Sequence, residues 1–112
     1  EVVGHATALW FGMLEWTDSD AIGLAHTLPH TTELKTIFLT DNKFTAEGAL
    51  LLIKAAKNCP NLQVMNLIGN PIEPDREMEL RRQWASAGKK ESGLRMGHRA
   101  AEAEAARAEE VP

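Results

Sequence analysis

The sequence predicts an α/β fold assembled from about three tandem strand–helix units, and three observations carry that prediction. Leu34, Ile37, Leu39 and Asn42 recur as Leu62, Met65, Leu67 and Asn70 at a constant offset of 28 residues, and Phe44 and Ile72 extend the register. Between the two copies, a short alternating segment gives way to apolar residues on a helical spacing. A degenerate copy of the same pattern lies one period upstream. Agreement between local pattern and repeat period is hard to reach by chance.

The first unit spans about residues 6–33. Ala6, Leu9 and Phe11 take the slots of Leu34, Ile37 and Leu39, and Trp16 takes that of Phe44. Thr17-Asp18-Ser19-Asp20 is a helix-start signal, with capping side chains and acidic residues in the first turn. Ala21, Leu24 and Leu28 then mark the buried face. Leu14 stands where the later units carry asparagine, so this unit should keep its strand and helix but lose the asparagine's bonds to the turn.

The second unit, 34–61, is the most regular. Leu34 to Leu39 suits a short strand, Thr45 can cap a helix, and Ala49, Leu52, Ile53 and Ala56 share one face. The helix should end near Asn58, because Pro60 cannot continue it. The third unit, 62–88, opens on a matching strand. Its helical segment from Pro74 to Ala87 sets Leu80, Trp84 and Ala87 against a face bearing Asp75, Arg76, Glu79, Arg82 and Gln83. Arg76 replaces the glycine of Gly48, and Arg81 replaces Ile53. One apolar stripe under a charged surface suits a terminal capping helix, with Trp84 closing the core.

The chain resembles leucine-rich-repeat proteins, specifically the ribonuclease-inhibitor-like subclass, over residues 6–88 and most closely over 34–72. The resemblance implies an α/β, short right-handed leucine-rich-repeat solenoid. It would hold about three strand–helix repeats, a parallel sheet on the concave face and helices outside. It also implies that Asn42 and Asn70 bond the backbone of neighbouring turns, a structural role. The family is mostly intracellular and mostly binds other proteins.

Composition narrows the function classes. With 112 residues the chain holds one small domain, and a net charge of −4 argues against nucleic acid, whose phosphates need clustered Lys and Arg. Cys59, the single cysteine, cannot form an internal disulfide, which favours a reducing, intracellular and cytoplasmic setting. The apolar run from Ala6 to Leu14 is too short to span a bilayer and lacks the flanks of a signal peptide. His26 and His30 have the spacing of paired metal ligands, but Pro29 lies between them and no third ligand joins them, so no metal or other cofactor is expected. Phosphate loops, nucleophile elbows and dinucleotide fingerprints are missing from the sequence, and no catalytic residues are assigned.

Function should lie between the patterned leucines. Strand alternation sends Trp10, Phe38 and Asn66 to the concave face in one column, with Ala8, Thr36 and Val64 in a second and Gly12, Thr40 and Ile68 in a third. Neighbouring strands lie about 4.8 Å apart, so Trp10 and Phe38 should touch. Exposed aromatics anchor many interfaces. A protein partner is therefore expected at Trp10, Phe38, Asn66, Thr36, Val64, Thr40 and Ile68, with Asn42, Asn70 and Trp84 structural. The alternatives are that the chain's own tail or an adjoining subunit covers the patch, or that a register shift makes these residues core. Trp16 and Cys59 read as buried packing residues.

The two ends add a rival reading. Gly88-Lys89-Lys90-Glu91-Ser92-Gly93 reads as a flexible linker, followed to residue 112 by an Ala/Glu-rich helical or disordered tail in which only Leu94 and Met96 could anchor. Nothing ahead of the first strand caps the array, and Val2 and Val3 suit the end of a preceding helix. An open repeat edge invites self-association, upstream repeats or a partner subunit. The chain could then be a structural subunit of a large assembly rather than a recognition module. A regulator of an enzyme such as a GTPase is a further possibility, for which no exposed Arg or Asn can be named.

Overall fold

The structure, a computed structural model, describes residues 7–97. Val2, Val3, Ala6 and the Ala/Glu-rich tail beyond Gly97 lie outside the described residues. Strands β1 (Ala8–Trp10), β2 (Thr36–Phe38), β3 (Val64–Asn66) and β4 (Leu94–Arg95) form one parallel sheet in sequence order. Helices α1 (Asp18–Thr27), α2 (Ala46–Ala56) and α3 (Glu77–Ser86) connect them. Register follows the sequence offset: Leu9 pairs with Ile37 and Ile37 with Met65.

The patterned residues make the core. Leu34, Ile37, Leu39, Phe44, Leu52, Ile53, Leu62, Met65, Leu67 and Leu80 are fully or almost fully enclosed. Together they form one apolar cluster, against which Leu9, Phe11 and Trp16 pack only in part. Each helix starts where its capping residue permits. Thr45 accepts the Glu47 N–H at α2, and the Asp20 carboxylate accepts the Thr17 N–H at α1. Pro74 opens a 3-10 turn, Pro74–Arg76, that leads into α3.

A partly buried contact ties α1 to α2, and a looser, exposed ion pair links α2 to the turn before α3. The Asp18 carboxylate accepts both the backbone N–H and the hydroxyl of Thr45, so the first unit caps the second unit's helix. Gly48 makes room for it, since a Cβ there would lie 2.1 Å from Asp18 Oδ1. Arg76, in the equivalent position one unit later, instead reaches Glu79 at 2.8 Å and Glu47 at 3.4 Å.

The stretch after Gly88 departs from the expectation. Instead of starting a flexible linker at residue 89, the chain turns back and adds β4 beside β3, with Met65 opposite Leu94 and Asn66 opposite Arg95. Leu94 is 2% exposed and Met96 packs on the core. Trp84 is fully buried, as expected of a residue closing the core, but the sheet continues past it. Its indole N–H donates to the Lys90 carbonyl at 2.7 Å, which helps fold the returning segment down. Gly93 is required there, because a Cβ would lie 1.9 Å from the Gln63 carbonyl oxygen.

Candidate functional site

The sheet face turned away from the helices carries the expected columns, each lengthened by β4. Trp10, Phe38 and Asn66 are joined by Arg95 through the pairing register. Ala8, Thr36 and Val64 form the second column. In the third, Gly12, Thr40, Ile68 and Gly97 stay in step through the bonds Met13 N–H to Thr40 O, Asp41 N–H to Ile68 O and Gly69 N–H to Gly97 O. Thr36, Phe38, Thr40, Val64 and Ile68 are half-buried, whereas Trp10 and Arg95 are exposed.

Trp10 and Phe38 do touch. Their rings stack with centroids 3.8 Å apart and planes 8° from parallel. Trp10 nevertheless remains 71% exposed, so the pair is a platform rather than a plug. Its indole N–H and wide apolar face suit a partner that brings both apolar surface and an acceptor.

Asn66 differs from the expectation of an open contact residue. It is only 9% exposed, and its side-chain oxygen accepts the Ile68 N–H at 3.1 Å. The carboxamide shapes the end of β3, between Phe38 on one side and Arg95 on the other. This face of the sheet is thus divided, aromatic at β1–β2 and cationic at β4.

Asn42 and Asn70 do what a turn support must. The Asn42 oxygen accepts the N–H groups of Leu14 and Trp16, both at 3.0 Å, while its amide donates to the carbonyls of Phe11 (2.7 Å) and Leu39 (3.2 Å). Asn70 repeats this one unit later, accepting from Phe44 N–H and donating to Leu39 and Leu67. Met13, Asp41 and Gly69 take positive φ at equivalent positions (58°, 57° and 85°), so that turn conformation repeats; beside Leu14 only Glu15, also at φ 58°, departs from the later units. Trp16 packs tilted against Phe11 with centroids 5.0 Å apart, but it is half-buried, at the margin of the core rather than within it.

Sequence reasoning missed the surroundings of Lys89. Its ammonium donates to the Cys59 and Leu62 carbonyls at 2.9 and 2.7 Å and lies 5.7 Å from the centre of the Trp84 ring. Burial lowers the Lys89 pKa, with the Cys59 thiol opposing that shift. Burial likewise raises the Cys59 pKa, partly offset by Lys89. The Cys59 thiol donates to the Leu28 carbonyl at 3.3 Å, so it is a packed structural thiol. The only signal was position: a lysine directly after a helix-ending glycine can reach free carbonyls.

Among the described residues, no group of three or more His, Cys, Asp or Glu side chains converges as for a metal ion, and no helix is long and apolar enough to cross a membrane.

Comparison with known proteins adds one finding. Over 74 aligned positions that cover 63% of this chain, it is 36% identical to Protein NLRC5 of Homo sapiens, a leucine-rich-repeat protein. The chain spans 4% of that protein's length. No family model matches the chain. The similarity to part of a leucine-rich-repeat protein and the repeated parallel strand–helix order are both compatible with a short repeat-built α/β arrangement.

Proposed function

We propose that this chain is a segment of a leucine-rich-repeat array of the ribonuclease-inhibitor-like type, acting without catalysis as a protein-recognition surface. Its binding face is the helix-free side of the sheet, centred on Trp10 and Phe38 and bordered by Thr36, Thr40, Val64 and Ile68. The observation that carries this reading is the stacked pair with its exposed indole. A large aromatic held in one orientation by a neighbour loses little freedom on binding, which is what interface anchors share. The similarity to a leucine-rich-repeat protein supports protein partners as a class. An intracellular setting rests on the lone, buried Cys59.

The test is Trp10→Ala and Phe38→Ala, each checked for native folding by circular dichroism, in a quantitative affinity capture against the parent chain. A partner retained by the parent and lost by both folded variants supports the reading. A partner retained equally by all three refutes it.

The apolar surface at the β1 end favours a second reading, a structural subunit docked through that edge. Leu9, Phe11 and Trp16 are only half-buried, and Met13, Leu14 and Ile22 are exposed beside them. Assembly lost on substituting Leu9 and Ile22 by Ser, but kept in Trp10→Ala, would favour docking over face recognition.

A further inference from the structure

The opposite end of the sheet carries a cleft that shares Val64 with the proposed face but none of its aromatic residues. The cleft, of about 450 Å³, opens between the C-terminal ends of α2 and α3 and the start of β3 and β4. Lys57, Lys89, Lys90 and Arg95 line it, and among the described residues no carboxylate does. That is a marked local excess in a chain of net charge −4. Glu91, next to Lys90, lines a different cleft beside Met78 and Arg82. The basic strip continues the other way, where a smaller neighbouring cleft shares Lys57 and adds Lys54.

The cations do not have equal duties. Lys89 is committed to the Cys59 and Leu62 carbonyls at the base. Lys57, Lys90 and Arg95 are exposed, and no ion pair among the described residues engages them. Between them, Pro60, Val64 and Ala87 supply aliphatic walls. The volume is large enough to admit one or two side chains of a partner.

The surrounding backbone decides which anion fits. Lys57 is the C-cap of α2 and Ala87 that of α3, so the negative ends of two helix dipoles face this region. Phosphate sites are built the opposite way, on the N–H groups of a helix N-terminus. A compact dianion would meet those carbonyl ends, whereas single carboxylates spread along a chain can each pair with one mobile cation. A glutamate also brings methylenes for the aliphatic walls.

We propose that this cleft binds an acidic peptide segment of a protein partner, whose carboxylates pair with Lys57, Lys90 and Arg95. The inference does not rest on the aromatic platform at the other end of the sheet.

The test uses the whole chain, labelled with ¹⁵N, titrated with an end-capped ten-residue peptide of alternating Glu and Asp, its Gln/Asn counterpart, and inorganic phosphate. The acidic peptide should move the amide resonances of Lys57, Gln63, Gly88, Ser92 and Gly93, with binding weakened by added salt. Lys57→Glu/Lys90→Glu should weaken binding by about tenfold or more, because it replaces two attractions by two repulsions. Should that variant fold poorly, Lys57→Gln/Lys90→Gln serves, since both side chains are exposed. Trp10→Ala should bind the peptide unchanged, which separates this outcome from that of the aromatic reading. Equal shifts from the neutral peptide, saturation of the same resonances by phosphate alone, or undiminished binding by a folded charge variant would each overturn the proposal.

Discussion

Replacing Asn42 by Ala tests the repeat architecture at its most heavily bonded side chain. The carboxamide is buried and holds two N–H groups and at least two carbonyls of the strand-to-helix turns. Its three shortest bonds, to Leu14, Trp16 and Phe11, each contribute about 1 kcal/mol net, and the stranded groups recover only part of that from water. The expected loss is therefore about 3 kcal/mol, out of the roughly 5–15 kcal/mol typical of a small domain. In a domain of this size that lowers the melting temperature by roughly 12–24 °C. Urea denaturation followed by circular dichroism measures it directly, and an unchanged slope would show that stability alone has moved. Asn66→Ala is the control, because among the described residues that side chain makes one hydrogen bond, from Ile68 N–H, and its loss should cost about 1 kcal/mol. Equal losses for the two variants, or less than about 0.5 kcal/mol for Asn42→Ala, would refute the assignment of Asn42 as the turn's main support.

Other substitutions probe neighbouring features. Gly48→Ala should destabilise by about 1–2 kcal/mol by pushing Asp18 off Thr45, although glycine-to-alanine in a helix normally stabilises by about 0.5–1 kcal/mol. In an Asp18→Ala background the penalty should shrink, because the carboxylate is gone and only the residue-18 Cα, 3.2 Å from the new Cβ, still crowds it; a double-mutant cycle in denaturant reads the difference. Leu94→Ala should cost about 2–5 kcal/mol if β4 closes the core, and nothing measurable if residues after 88 are a free linker. Burial raises the folded-state pKa of Cys59, so the unfolded chain releases that proton first as pH rises. Its contribution is full below the ordinary thiol value and is lost as pH rises through the raised one. Lys89, shifted down, acts in the opposite sense. Denaturation of the parent and of Cys59→Ala across pH 7 to 10 isolates the thiol, and the parent should lose stability relative to the variant only at the alkaline end.

Much of the fold was legible because burial and repetition reinforce each other. Each apolar slot from Leu34 to Ile72 is held by the core in two successive units, so the period survives in the sequence. The aromatic contact followed from the same register, since equal offsets place Trp10 and Phe38 side by side. The fourth strand was hidden by a changed step and a broken pattern. Leu94 follows Met65 by 29 residues rather than 28, and Glu91 stands where a leucine would mark the strand's approach. Asn66 was misread because alternation gives a side chain's direction but not whether its own turn will claim it. The capping of Thr45 by Asp18 joins two helices 27 residues apart, and Gly48, an otherwise costly residue inside a helix, was the visible trace of it.

The inter-unit bonds run in both directions along the chain. Asn42 reaches back to finish the turn of the first unit, while Asp18 reaches forward to start the helix of the second. During synthesis, the first unit therefore emerges with its turn unsupported until Asn42 has also been made. Neither unit is a self-sufficient folding piece. Removing one would injure its neighbour, and the array should melt in a single transition rather than fray from one end.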